Sequence, residues 1–268
     1  QQRGPVREAV VYVHGFNTPH TTCLASVRSI GKGLAQQGYE GAVVGFDWPS
    51  QGKIISFDNT DTAKRTRFFK YWTDKDNAER SIPQFVLDCL TPLRREVTPE
   101  KVAVMAHSMG GYLTLTAMKS IHDPDGQQQD PWRIGQVLFV AADAHRRDMQ
   151  AGRPGAKALA RRCARSTNYW SRRDEVLEIS WTLNNWRMRA GYAGLGKDQP
   201  VNRIFDLSCT DRYGTIVPPG QVETRLSHRW YFRDAGFYRD AALTLAGTDA
   251  GAMPTREAGP DGRPRLTP

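Results

Sequence analysis

The sequence has no apolar run approaching the roughly 18 residues that a membrane-spanning helix requires, and its first residues, Q-Q-R-G-P, do not form a signal peptide. A soluble chain is therefore expected. Because the sequence does not start with methionine, an address carried upstream stays open, and with it the choice between cytoplasm and export. Cysteine is scarce: Cys23, Cys89, Cys163 and Cys209 are widely spaced. No C-x-x-C pair is present and no histidine is read at ligand spacing, which argues against a zinc centre. Cys89 and Cys163 fall in helical apolar patterns and are expected to be buried, inert thiols; a disulfide between any two cysteines is left open. Internal repeats are absent. The interleaved K-R-T-R-F-F-K-Y-W of residues 64–72 mimics a basic-aromatic surface, but no nucleic-acid recognition module accompanies it, so nucleic acid is not an expected partner.

What is present suffices for one large domain. A chain of 268 residues can bury a substantial core without needing a second one. That domain is expected over residues 1–247. Past Gly247 the residues carry little to bury, and 248–268 are expected to be a disordered tail. The net charge of +9 is unevenly spread, since Arg146 to Arg173 holds nine basic residues against the single acid Asp148. A solvated helix face is the plain reading of such a run; attraction to an anionic membrane surface, an acidic partner or an anionic substrate is the functional one.

Along the chain, apolar runs alternate with helical patterns. Glu8 to His14, Ala42 to Phe46, Lys101 to Ala106, Gln136 to Ala142, Thr167 to Trp170 and Val201 to Leu207 read as strands. Helices are expected from Thr21 or Thr22 to Gly38, from Ile82 to Leu93, from Tyr112 to Ile121, from Gly155 to Arg165, from Glu175 to Arg189 and from Phe237 to Leu245. The alternation predicts a mostly parallel sheet with helices on both faces. Residues 51–75 break it: a polar segment with two apolar clusters, one holding Phe57 and the other Phe68, Phe69, Tyr71 and Trp72. A loop of that length is expected to be a lid or a wall of a substrate pocket, with satellite core packing as the plain alternative. Trp48, Phe57 and Trp72 are the candidate substrate contacts.

The chemistry centres on Val102 to Gly111, V-A-V-M-A-H-S-M-G-G. A buried-strand run enters a tight turn with Ser108 at its apex and leaves as a helix. Ala106 and Gly110 are small where strand and helix would crowd, so the stretch reads as a nucleophile elbow, A-x-S-x-G in place of G-x-S-x-G. His14-Gly15, Ser108, Asp143, Asp174 and the residues after Leu207 all fall at carboxyl ends of strands, where α/β sheets place their ligands.

With Val13-His14-Gly15-Phe16-Asn17 ending the first strand, Trp48-Pro49-Ser50 after the second, and Ala106-His107-Ser108-Met109-Gly110 at the elbow, the chain resembles the α/β-hydrolase superfamily. It looks most like a bacterial group of serine hydrolases long catalogued as a domain of unknown function. The resemblance covers roughly Ala9 to Gly247 and is weakest at Gly52 to Lys75. It implies an α/β-hydrolase fold and a triad in the order Ser, acid, His. Ser108 is then the nucleophile and Asp174 the acid, with Asp143 as runner-up; a helix-capping Asp is the plain reading of Asp174. Among six histidines only His228 follows the acid, while His14 is expected to brace the first loop. Backbone N–H groups of Phe16 and Met109 would form the oxyanion hole. The implied activity is hydrolysis of a small-molecule ester or lipid of the carboxylesterase or lipase type, without metal or organic cofactor. An acyltransferase or thioesterase would share the triad, and a non-catalytic scaffold binding anionic surfaces is the reading from another class.

Overall fold

All six expected strands lie side by side in one sheet. The computed structural model describes residues 6–50, 61–121, 132–196, 203–217 and 224–267, without the side chains of 61–69. In chain order the elements are β1 (Ala9–Val13), α1 (His20–Ala35), β2 (Ala42–Phe46), α2 (Asp61–Arg80), a π-helical stretch (Gln84–Leu90) running into α3 (Thr91–Glu96), β3 (Val102–His107), α4 (Met109–Ser120) and β4 (Ile134–Val140). There follow α5 (Pro154–Arg162), β5 (Cys163–Trp170), α6 (Glu175–Leu183), α7 (Ala190–Ala193), β6 (Ile204–Ser208), α8 (Thr210–Ile216), α9 (Thr224–Arg229), α10 (Ala235–Leu245), β7 (Arg256–Ala258) and β8 (Pro264–Leu266). The sheet order is β2-β1-β3-β4-β5-β6-β8-β7. Every pairing is parallel except that of β7 with β8.

The near-continuous apolar runs of the central strands are explained by burial on both faces. Along β1, Val11 and Val13 point into one core with Val104, Ala106 and Phe139. Val10 and Tyr12 point into the other with Met105, Leu138, Ile30 and Phe237. The period-2 alternation of a strand thus feeds two apolar layers. β2 lies at the edge and Val44 is exposed there.

Four expectations change. Residues 61–80, read as loop as far as Lys75, form α2: this helix is polar nearly all round, so it lacks the amphipathic period by which helices are read, and it docks through buried Tyr71, Asp74 and Ala78. The helix expected to reach Arg165 ends at Arg162, and Cys163 opens β5 rather than lying in a helix. Cys89 is only half-buried, and all four cysteines are free. The helix expected to reach Arg189 stops at Leu183, because Asn185 (φ 52°) and Trp186 (φ 57°) turn left-handed.

Residues 248–267, expected to belong to a disordered tail, instead extend the sheet. Leu266 is buried in the second core, Thr267 N–H donates to Thr255 O, and Arg165 donates to the carbonyls of Thr244 and Thr248. Buried Asp240 accepts from Tyr169 (2.7 Å), Thr255 (2.6 Å) and Arg256 (2.7 and 2.8 Å). A segment anchored by a few polar contacts and two three-residue strands carries no hydrophobic period to announce it. The basic run is likewise divided: Arg162 and Arg165 lie inside the protein on carbonyl oxygens, while Arg147, Arg153, Lys157, Arg172 and Arg173 are exposed.

Candidate active site

Ser108 stands between β3 and α4 with φ 56° and ψ −124°, a conformation a non-glycine residue adopts only when its surroundings impose it, at a cost of about 1–3 kcal/mol. The turn is braced by Ser108 N–H donating to Val140 O (3.1 Å) and by Ser108 O accepting from Asp143 N–H (2.8 Å) and Gly111 N–H (2.9 Å). The required small residues are explained by β1: a Cβ on Gly110 would lie 2.3 Å from Val13 O, and one on Gly15 would lie 2.6 Å from Ser108 Cβ. The elbow is therefore crowded by the neighbouring strand and its loop, as well as by its own helix.

Asp174 caps α6, accepting from Leu177 N–H at 3.0 Å, and its other oxygen accepts from His228 Nδ1 at 2.7 Å. It fills both the plain helix-capping role and a pairing with the histidine. Burial raises its carboxyl pKa, and the adjacent His228 acts in the opposite sense. His228 rides on α9 with its Nε2 buried and unpartnered among the described residues. The two helices are cross-linked beside the pair: Glu175 N–H donates to Ser227 Oγ (3.1 Å) and Thr224 Oγ1 donates to Glu175 Oε2 (2.7 Å). His107 backs His228, with ring centroids 4.6 Å apart and its Nε2–H donating to His228 O at 3.1 Å. Burial, then the neighbouring His228, holds the His107 pKa well below the usual histidine value, so it acts as a neutral donor.

Asp143, the runner-up acid, belongs to another network. It accepts from Tyr71 OH (2.9 Å) and Ser180 Oγ (2.6 Å), and Arg189 Nε lies 3.2 Å away. Asn184 donates to Tyr71 OH at 2.8 Å and completes the cluster.

Ser108, His107 and His228 open onto a cavity of about 410 Å³. Phe16 and Tyr71 wall one side, and Val176, Ile179 and Leu183 of α6 another, with Arg225 and Arg229 of α9 at the margin. Met109 is the first residue of α4, where a helix has no partner of its own for the N–H. The other aromatic candidates fall elsewhere. Trp48 is buried outside the cavity, its ring stacked on His14 (5.1 Å) and its Nε1–H donating to His14 O (2.9 Å). Trp72 packs against the core and under Lys75 (4.7 Å). Phe57 and most of segment 51–75, expected as a lid or pocket wall, lie outside the residues whose side chains are described; among the described ones Tyr71 lines the cavity.

The two sequence motifs that frame the site meet as loop braces. Ser50 Oγ accepts from Thr18 N–H (2.9 Å) and donates to Thr18 O (3.0 Å), while Asn17 N–H donates to Asp74 (3.1 Å). His14 sits behind the loop, facing Gly15 O and Asp47. The spacing argument against a metal centre does not hold in space: His14, Cys23 and Asp47 bring potential ligand atoms within 4.8 Å of one another, and His20, which contacts Asp47, lies three residues before Cys23. Sequence reading also missed Glu175 and Ser227, which carry no motif, and named Tyr71 only as one of an aromatic cluster.

The family comparison agrees with this architecture. Residues 2–203 match the family described as alpha/beta hydrolase of unknown function (DUF900), and the chain belongs to that family. No curated protein matches it. Solved structures with a similar course include an esterase from the archaeon Pyrobaculum calidifontis (13% identity, 91% of this chain and 78% of that one, TM-score 0.44). Others are the metagenomic carboxylesterase EstE1 (13%, 92% and 80%, 0.41) and an acetyl ester-xyloside bifunctional hydrolase from Caldicellulosiruptor lactoaceticus (13%, 91% and 85%, 0.43). The assignment of fold rests on the sheet order and the family. Among the described residues no helix is long and apolar enough to cross a membrane.

Proposed function

We propose that this α/β hydrolase cleaves carboxylic esters through an acyl-enzyme on Ser108. The observation that carries the reading is the buried 2.7 Å pair of His228 Nδ1 and Asp174 Oδ2, set in one cavity with a serine on a strained turn. With Nδ1–H donated to Asp174, the Nε2 lone pair of neutral His228 takes the Ser108 proton as the hydroxyl attacks the ester carbonyl. Asp174 holds that tautomer and stabilises the imidazolium that forms. Negative charge building on the carbonyl oxygen is received by the N–H groups of Met109 and Phe16, each such donor being worth about 3 kcal/mol in the transition state. The imidazolium returns its proton to the leaving alcohol, and water, activated by the same histidine, releases the acid. The apolar wall of α6 supports an acyl chain as the group seated there.

The test is labelling with a serine-directed fluorophosphonate, followed by hydrolysis of p-nitrophenyl esters of graded chain length. Labelling of the native chain that vanishes in Ser108→Ala and in His228→Ala is the expected result. A folded native chain that neither labels nor hydrolyses any ester, with or without detergent, would overturn the proposal.

A further inference from the structure

The end of β1, the first turn of α1 and the residue after β2 meet behind the loop that carries Gly15 and Phe16. Four side chains with metal-binding atoms converge there: His14, His20, Cys23 and Asp47. A His14 ring nitrogen, Cys23 Sγ and an Asp47 carboxylate oxygen lie within 4.8 Å of one another, and His14 Nε2 is 3.1 Å from Asp47 Oδ1. His20 Nδ1 contacts the other Asp47 oxygen. His14 and Cys23 are buried, whereas His20 and Asp47 reach solvent and leave an entry path.

His14 stands between two oxygen acceptors. Its Nδ1 lies 2.9 Å from Gly15 O and its Nε2 lies 3.1 Å from Asp47 Oδ1, so both ring nitrogens face oxygen acceptors. A neutral imidazole has one N–H. If Nδ1 donates to the carbonyl, a lone pair on Nε2 faces the carboxylate in a buried position. A cation bound by both atoms removes that conflict, and donation from the second ring nitrogen to a backbone carbonyl is how ligating histidines are held in the right tautomer.

We propose that His14 Nε2, Cys23 Sγ and the Asp47 carboxylate bind one zinc ion, with His20 orienting the carboxylate through its second oxygen. Zinc bonds of about 2.0–2.3 Å to N, O and S at tetrahedral angles place ligand atoms roughly 3.3–3.6 Å apart, a spacing this cluster reaches with small side-chain adjustments. The donor set, one imidazole, one thiolate and one carboxylate, suits zinc among the common divalent ions. On coordination the Cys23 thiol proton leaves to solvent; thiolate and carboxylate then neutralise the dication, so no net charge is buried. Water takes the fourth position on the solvent side. None of the three ligands lines the substrate cavity. The ion ties β1, α1 and β2 together beneath the loop that presents Phe16.

The site is independent of the ester-hydrolase reading, and its test does not use activity. The full chain carrying Ser108→Ala, stripped by a chelator, is titrated with Co²⁺ and then Zn²⁺. One Co²⁺ per chain with a thiolate-to-cobalt charge-transfer band, displaced by zinc, is expected. Zinc at a hundredfold above its dissociation constant is expected to raise the thermal midpoint by roughly 5 °C or more. Cys23→Ser loses the band, Cys89→Ser keeps it, and His20→Ala weakens cobalt binding about ten- to hundredfold. Asp47→Asn, at a part-exposed position, gives a second check should Cys23→Ser fail to fold, and is expected to weaken binding at least tenfold. A folded chain without the band, a band that survives Cys23→Ser, or affinity unchanged by Asp47→Asn would each overturn the site.

Discussion

Two aspartates follow neighbouring strands of the same sheet, Asp143 after β4 and Asp174 after β5, and both are buried. From sequence Asp174 is the expected acid of a hydrolase and Asp143 the runner-up. In the structure their surroundings diverge. Asp143 faces an arginine and two hydroxyl donors from α2 and α6, a set that consumes its lone pairs and neutralises its charge. Asp174 spends one oxygen on the N-terminus of α6 and the other on an imidazole whose far nitrogen has no partner among the described residues. The difference teaches that a carboxylate becomes available for proton chemistry through what its partner can still do. A guanidinium offers donors only, whereas an imidazole can also accept.

The comparison is broken most severely at Asp174. Asp174→Asn keeps the geometry but selects the wrong tautomer of His228, and ester hydrolysis is expected to fall about 10⁴-fold with little loss of stability; steady-state rates together with thermal melts check both halves. Asp143→Asn should do the opposite. Removing one member of a buried ion pair costs about 3 kcal/mol, a fall in melting midpoint of roughly 5–10 °C, while the rate per folded molecule changes less than tenfold. A rate loss at Asp143 equal to that at Asp174 would reverse the assignment of the acid. Tyr71→Phe trims the Asp143 network by a single hydroxyl, and urea titration is expected to register about 1–2 kcal/mol.

Asp206 supplies a third case and the smallest effect. It accepts from Asn168 Nδ2 (2.8 Å) and Leu195 N–H (2.8 Å), yet burial pushes its pKa up to about 6. Since the folded value lies above the unfolded one, the folded state holds the proton more tightly. Stability from Asp206 is therefore full below about pH 4 and is lost as pH rises through about 6. Measured as the unfolding free energy of the native chain minus that of Asp206→Asn, it is expected to decline by about 1 kcal/mol between pH 5 and 7.5. A flat difference would mean the carboxylate is better solvated than its burial implies.

Much of the site was legible because its parts obey local rules. A strand that must turn sharply into a helix under the end of β1 needs Gly110 and Ala106, and chain order singles out His228 among six histidines. What lay beyond reading was of another kind. Trp48 looked like a pocket aromatic, but its indole is spent on stacking with His14 and holding a backbone carbonyl. Tyr71, one aromatic among several in its segment, lines the cavity because α2 turns that face inward. Glu175 and Ser227, which lock the two helices carrying Asp174 and His228, are ordinary residues whose roles exist only once α6 and α9 touch.

The sequence by itself determined the sheet, the elbow and the order of the reacting groups, since strand periodicity, steric crowding at a tight turn and chain order are all local or one-dimensional properties. The tertiary structure decided which aspartate meets the histidine, how Asp240 and Arg256 draw residues 248–267 into the sheet, and that His14, Cys23 and Asp47 share one corner of the fold. Those outcomes depend on charges and polar atoms losing water together, and desolvation is a property of neighbours in space that spacing along a chain does not encode.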